Sequence, residues 1–348
     1  MTDEEKLYQL IQTSKPENID LAIELSKANS IVLEDYELLL KWLSDIKNYH
    51  FKERGLKDYL EEISKKTHAY LSKLELEHLP PMLGRFFNLQ RLYLGSNLLT
   101  ALPESLGALK ELEELNIGSN SFSIFPACIL NLIHLEDLTI SHNQLSFIPQ
   151  AIGHLSKLQR LRLNYNQLES LPESIRTLPL LRTLHLHNNK LTSIPKALGQ
   201  LSLIKELNFS DNEIKTIPAY IADFKHLEKL YFSKNPIEQI SDAIGDLTSL
   251  EQLHLDETNI SVLPDTIGQL TNLKELYLFG NQLKELPESI GNLSHLKSLK
   301  LTGNAGIYLP DSIGQLKNLK ILWLWDCALP ASEITRIKAL LPNCKVKH

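Results

Sequence analysis

The side chains with the widest chemical reach in this chain are its twelve histidines and three cysteines. His185 and His187 stand two residues apart, and on an extended strand that spacing turns both imidazoles to one side. Two imidazoles so placed could share a metal ion if a third ligand faced them. The positions one repeat away hold Arg162, Asn164, Asn208 and Ser210, which are poor candidates, so no metal and no cofactor is expected. A pH-dependent contact through His185, His187 and His254 is the milder expectation, because imidazole titrates near neutrality. His134, His226 and His295 share one place just before a strand and follow spacing rather than chemistry. Cys128, Cys327 and Cys344 are odd in number and lack metal-type spacing. The phosphate-cradling GxxxxGKS/T, the zinc-binding HExxH, the redox CxxC and the nucleophile-bearing GxSxG are all absent, so no catalytic residue is assigned and the chain reads as a non-enzyme.

What must position these residues is a pattern of 23, seen most fully in Leu273 to His295, LKELYLFGNQLKELPESIGNLSH. Leucine or a close substitute falls at places 1, 4, 6, 11, 14, 18 and 21, asparagine at 9, proline at 15 and glycine at 19. Units start at Leu89, Leu112, Leu135, Leu158, Leu181, Ile204, Leu227, Leu250, Leu273, Leu296 and Leu319, with no insertion between starts. A fixed period of this length denotes a solenoid of like coils.

Leu276-Tyr277-Leu278 alternates with period two, so its leucines turn inward and Tyr277 outward on a short strand. The asparagines Asn97, Asn120, Asn143, Asn166, Asn189, Asn212, Asn235, Asn281 and Asn304 then fall three places on. A buried amide is tolerable only with its donors and acceptor bonded, so they read as a ladder serving turn backbone in their own and the adjacent coil. Thr258 and Cys327 stand in that column and can supply less. Past each proline no run is long enough for a full helix, so short turns and single helical turns are expected there. Seven buried side chains cannot offset the ordering of a whole coil, so one coil cannot fold alone and both ends need covers. Strands about 4.8 Å apart on one side, with bulkier turns on the other, force an arc with the sheet on its concave side.

The pattern LxxLxLxxNxLxxLPxxIGxL resembles that of leucine-rich repeat proteins, specifically the LPxxIG subtype of bacterial repeat proteins, plant intracellular Ras-group-related proteins and Scribble-type scaffolds. The match runs from Lys66 to the C-terminus. The resemblance implies an α/β fold: a right-handed, horseshoe-shaped solenoid with a parallel concave β-sheet. It also implies that the Cys327 thiol is a family substitute for asparagine, and that the ending LLPNCKV is a terminal cap like those of bacterial repeat proteins.

The expected domains are a small all-α N-terminal cap over 1–65, the solenoid over 66–330, and a cap helix and strand over 331–348. In the first, Leu7, Leu10 and Ile11, then Ile19, Ala22 and Ile23, then Leu38, Leu39, Trp42, Leu43 and Ile46 fall at helical spacing, followed by Leu56, Tyr59, Leu60 and Ile63. Residues 67–88 read as a degenerate transition coil with Leu74 where asparagine belongs. Within the array Arg176 and Ala222 replace glycine, Ser241 replaces proline and Gly306 sits at a leucine place, so Asn304 to Tyr308 is expected to be loose. Ser332 and Glu333 suggest the capped start of a helix carrying Ile334, Ile337, Leu340 and Leu341, ended by Pro342, with Cys344-Lys345-Val346 as a final strand.

The net charge of −6 is spread: residues 1–66 hold ten Lys/Arg against fourteen Asp/Glu, a balance of −4, which leaves −2 for the rest. With no basic stripe, a nucleic-acid partner is not expected. The acidic, amphipathic start lacks the basic region and apolar core of a signal peptide, and no run approaches the length of a membrane span, so a cytoplasmic monomer with no membrane partner is expected, with a secreted effector as the alternative.

The outward strand residues are where partner specificity would lie. They read Tyr93, Asn116, Thr139, Arg162, His185, Asn208, Tyr231, His254, Tyr277, Lys300 and Trp323, and two places on Gly95, Gly118, Ser141, Asn164, His187, Ser210, Ser233, Asp256, Phe279, Thr302 and Trp325. Tyr231, Tyr277, Phe279, Trp323 and Trp325 are expected to be exposed, with His254 among them, and exposed aromatics mark partner surfaces. The bland alternative has Trp323 and Trp325 merely packing on the C-terminal helix. The reading is a scaffold that binds a protein or peptide through this aromatic patch, with Arg162, Tyr165, His185 and His187 as a polar second region. The alternative is an adaptor, effector or inhibitor acting through the N-terminal helices with the repeats as spacer.

Overall fold

Each strand tripeptide from Arg91–Tyr93 to Ile321–Trp323 holds a central leucine between two residues that turn to the opposite face, and that alternation makes it a strand. In Glu275–Tyr277, Leu276 is fully buried while both neighbours stay half-exposed. The structure, a computed structural model, describes residues 67–348, and the helical domain expected over 1–65 lies outside the described residues. These residues fall into two compact units.

Of the described residues, the first unit comprises those up to Leu145 together with His154–Leu158. Its strands are β1 (His68–Tyr70), β2 (Arg91–Tyr93), β3 (Glu114–Asn116) and β4 (Asp137–Thr139), parallel and in chain order. The transition coil is therefore a full member of the stack: β1 pairs with β2, and the Lys73 N–H donates to the Gly95 carbonyl at 3.0 Å. Its apolar residues Leu71, Leu76, Leu79 and Leu83 are buried in the expected places.

The second unit comprises Ser146–Gly153 and Gln159–His348. Its strands are β5 (Arg160–Arg162), β6 (Thr183–His185), β7 (Glu206–Asn208), β8 (Thr216–Ile217), β9 (Lys229–Tyr231), β10 (Gln239–Ile240), β11 (Gln252–His254), β12 (Glu275–Tyr277), β13 (Ser298–Lys300), β14 (Ile321–Trp323) and β15 (Lys345–Lys347). Strands β8 and β10 pair apart from the rest, and the others form parallel neighbours in chain order. Residues paired across neighbouring strands of the array differ by one period, as in Tyr277 with Lys300 and Lys300 with Trp323. That register keeps every leucine column continuous, and Leu184, Leu207, Leu230, Leu253, Leu276, Leu299 and Leu322 are all fully buried.

The asparagines act as a backbone ladder. Asn212 Nδ2 donates to the carbonyls of Phe209, in its own coil, at 2.9 Å and of Leu186, in the preceding coil, at 3.0 Å, while Oδ1 accepts from the Leu191 N–H at 2.9 Å. Asn189, Asn235 and Asn304 repeat the arrangement. The two exceptions have a common explanation. Where Thr258 replaces asparagine, the Ile237 N–H that would need its oxygen donates instead to the Asn235 carbonyl at 2.8 Å. Where Cys327 replaces it, the Gly306 N–H donates to the Cys327 carbonyl at 2.8 Å and the thiol reaches only the Leu301 carbonyl at 3.2 Å. Each lost amide thus faces a coil whose turn no longer requires it.

Gly306 also corrects the expectation of a loose segment. Its φ of +74° turns the chain so that Ile307 fills the leucine place, 1 % exposed. The Tyr308 N–H donates to the Lys284 carbonyl at 2.7 Å, and Glu285 and Tyr308 form a bridge. The turn is tied down on both sides.

Opposite the strands, coils carry five-residue 3-10 helices, such as Glu288–Asn292, entered from a proline whose ring holds φ near −67°. Glycine ends this wall because the next coil presses on it: a Cβ at Gly291 would lie 2.6 Å from the Ser312 carbonyl oxygen. Ser241, in the proline column, compensates with its hydroxyl, which accepts from the Ala243 N–H at 3.3 Å. The array ends in a helix, α1 (Ala331–Leu340), burying Ile334 and Ile337, and β15 then adds to β14. Contrary to the expected Ser332 cap, the helix starts at Ala331 behind Pro330 and has no side-chain cap. Cys128, Cys327 and Cys344 are unbridged, and burial pushes the Cys128 thiol up to about 12.

Candidate functional site

Because the leucines take the inward places, the residues between them are forced onto the opposite face of the sheet, and the register sets them side by side. Tyr231, His254, Tyr277, Lys300 and Trp323 follow one another across β9, β11, β12, β13 and β14. Their rings interlock. Tyr231 meets His254 edge-on at 4.8 Å between centroids, His254 stacks on Tyr277 at 4.2 Å, and Tyr277 meets Trp323 edge-on at 6.4 Å. Lys300 lies between the last two, with its ammonium 5.8 Å from the Tyr277 centroid and 4.8 Å from that of Phe279.

This packing corrects the expectation of fully exposed aromatics. Tyr231, Tyr277 and Trp323 pack ring against ring through His254, Phe279 lies beside the Lys300 ammonium, all four are half-buried, and of the five only Trp325, at 46 %, is exposed. They remain outside the leucine core, since Leu276 and Leu278 on either side of Tyr277 are fully buried.

The second region also assembles. Arg162 and His185 are register partners on β5 and β6, the rings of His185 and His187 are 6.0 Å apart, and Tyr165 meets His187 edge-on at 5.3 Å. Tyr165 stands at a left-handed position, φ +55°, three residues past the end of β5. One coil, carrying Asn208 and Ser210, separates it from the aromatic row. Among the described residues no group of three or more metal-ligating side chains stands together.

The two outward columns of the sequence leave out a third, the first residue of each strand, and it organises the other two. His185 Nε2 donates to Glu206 Oε1 at 2.9 Å, and Lys229 reaches the other oxygen at 3.3 Å. The Tyr231 hydroxyl donates to Gln252 Oε1 at 2.5 Å, and His254 Nε2 is 3.5 Å from Glu275 Oε2. Each of these contacts from ring to carboxyl or amide spans 21 residues, a diagonal step from one strand to the start of the next. Its sequence signal is the residue two places upstream of each outward strand residue: Glu206 before Asn208, Gln252 before His254 and Glu275 before Tyr277.

The electrostatics follow from this geometry. The hydrogen bond from His185 holds the Glu206 carboxyl below its usual range against the opposing effect of burial. Burial lowers His254 despite Asp256 and Glu275 nearby, and raises Asp256 although it accepts from the Phe279 N–H at 2.9 Å. Burial, with Glu206 and Glu275 adding, pushes the Tyr231 phenol up to about 12. At neutral pH the His254 imidazole and the Tyr231 phenol are therefore neutral, and Lys300 brings a positive charge into the row between Tyr277 and Trp323.

Two family models match in sequence: "Leucine-rich repeat region" over 174–257 and 252–341, and "Leucine rich repeat" over 87–145 and 122–168. Among solved structures, a leucine-rich repeat protein of Leptospira interrogans is 32 % identical with a TM-score of 0.63, covering 80 % of this chain and 83 % of its own. A plant peptide hormone receptor, solved in a complex, is 28 % identical with a TM-score of 0.64, over 79 % of this chain and 50 % of that one. An internalin of Listeria monocytogenes has a TM-score of 0.65 at 22 % identity, over 82 % and 88 %, a likeness of fold alone. No curated protein matches in sequence. Among the described residues no helix is long and apolar enough to cross a membrane.

Proposed function

Because this chain belongs to the leucine-rich repeat family, we propose that it is a non-enzymatic recognition scaffold whose concave face holds a partner protein or peptide. The observation that carries this reading is the row Tyr231, His254, Tyr277 and Trp323, ordered ring against ring outside the core. A solenoid gains nothing in its own core from large rings there, whereas rigid aromatics with little rotamer entropy left to lose are what dominate binding energy at protein interfaces. The similarity to a plant peptide hormone receptor supports a protein or peptide ligand. Arg162, Tyr165, His185 and His187 would extend the contact at its polar end.

Partners captured by the purified chain are identified by mass spectrometry, and the affinity of the purified partner is then measured directly. Replacing Tyr277, Phe279 and Trp323 together with alanine should weaken it at least about a hundredfold, since each lost anchor costs about 2 kcal/mol or more, with the thermal midpoint nearly unchanged. Undiminished affinity in that variant would remove the concave face from the reading.

A further inference from the structure

The two ends of the chain differ in charge. From Lys297 onward it holds eight Lys/Arg against three Asp/Glu, a balance of +5 within a total of −6, so the residues before it carry −11. Two of those three acids are already engaged, because Arg336 pairs with both Asp311 and Glu333. The third, Asp326, stands beyond the end of β14 that lies away from Lys320. The lysines at the start of the last strands are thus left without counter-charges of their own.

The coil register gathers them into a ladder. The Lys297 N–H donates to the Lys274 carbonyl at 2.8 Å, the Lys320 N–H to the Lys297 carbonyl at 2.9 Å and the Lys345 N–H to the Lys320 carbonyl at 2.9 Å. Four lysines therefore follow one another from coil to coil at about 4.8 Å. In the preceding coils the same column is neutralised, Lys205 pairing with Glu228 at 2.5 Å and Lys274 with Glu251 at 2.6 Å. Past Lys274 the alternation stops. Lys297, Lys320 and Lys345 are exposed, and among the described residues none of the three stands in an ion pair.

Like charges on neighbouring strands cost stability. Lysines also guard an open sheet edge against pairing with another sheet, and that accounts for Lys345 and Lys347 on β15, the last strand. It does not account for Lys320 and Lys297, one and two coils inside the edge. The ladder adjoins the aromatic row: Trp323 lies in register between Lys300 and Lys347, and Lys320 and Trp323 bracket β14.

We propose that this ladder binds an acidic segment of the partner, extended across β13, β14 and β15 with its carboxylates on Lys297, Lys320 and Lys345. This rests on the concave-face reading and adds to it the charge of the partner's docking segment. The three unpaired lysines span about 10 Å, the reach of about three extended residues, which suits a short acidic run. A nucleic-acid backbone continuing along the array would instead meet Glu275 and Glu251.

A random dodecapeptide library displayed on phage is selected on the full chain, and the recovered peptides are titrated against it. They should be richer in aspartate and glutamate than in arginine and lysine, and should bind roughly tenfold more weakly once their acidic residues become the amides. The variant Lys297→Gln/Lys320→Gln/Lys345→Gln should lose the acidic preference. Lys190→Gln/Lys196→Gln/Lys215→Gln, which removes as much charge from exposed sites elsewhere, should keep it. A circular-dichroism melt checks both folds. Recovered peptides without an acidic preference, or with one that the ladder variant retains, overturn this proposal. So does a twelve-nucleotide oligothymidylate that binds more tightly than the peptides and is lost on the ladder variant, which would assign the ladder to nucleic acid. If the proposal fails but the peptides lose binding to the Tyr277→Ala/Phe279→Ala/Trp323→Ala variant, the concave-face reading stands without it. Acidic peptides that need the ladder yet bind the alanine variant equally well leave the ladder as the contact and overturn the concave-face reading. An empty selection overturns both.

Discussion

His254 and Tyr277 stack face to face on neighbouring strands, with ring centroids 4.2 Å apart and planes 16° from parallel. The stack keeps the imidazole out of water, and that burial lowers its pKa below 6.5. The unfolded chain then takes up the proton more readily than the folded one, so stability is complete above about pH 6.5 and declines as the pH falls through and below that value. Urea unfolding midpoints at pH 7.5 and 5.5 should differ in that direction. Replacing His254 by phenylalanine, which keeps the stack and cannot titrate, should shrink the difference.

Glu206 receives His185 on one oxygen and Lys229 on the other. Glu206→Gln keeps the shape and one acceptor but loses the charge. Its cost should be below about 1 kcal/mol, as for other partly exposed pairs, and should fade in 1 M salt. Since the folded carboxyl is held low, the wild-type advantage is present above the unfolded carboxylate range and is lost as pH falls below it. Denaturant titrations of both proteins at pH 7 and pH 4 test the sign.

Asn212→Ala leaves the Phe209 and Leu186 carbonyls and the Leu191 N–H without their side-chain partner inside the stack. A loss of about 2 to 4 kcal/mol is expected from several unsatisfied backbone groups. Thr258→Val spares the preceding turn, which serves itself, but removes the hydroxyl that donates to Asn281 Oδ1 at 2.5 Å, and should cost about 1 to 2 kcal/mol. Equal losses in denaturant unfolding would contradict the explanation given for the threonine.

Arg336 ties the C-terminal cover to the last coils through Glu333, Asp311 and the Leu309 carbonyl, with its guanidinium 5.7 Å from the Tyr308 centroid. Arg336→Ala should weaken this cover by about 1 to 2 kcal/mol. Amide hydrogen exchange should quicken across 331–347 and stay unchanged in the aromatic row. Exchange that quickens along the whole array would instead mean that the cover holds the coils together.

The sequence by itself determined the coil, because a leucine spacing of two on the strand and a fixed period leave one way to bury the recurring leucines. Inward and outward faces, the asparagine column and the final helix and strand were all legible for that reason. Gly306 departs from the expected looseness because a left-handed turn moves the buried place by one residue, which a fixed-period count does not reveal. Contacts across the outward face were decided by the tertiary structure alone. Whether Tyr277 stands free or leans on His254 and Trp323, and whether His185 finds Glu206, depends on the stagger between coils, and that stagger is set by the packing of the leucines beneath them.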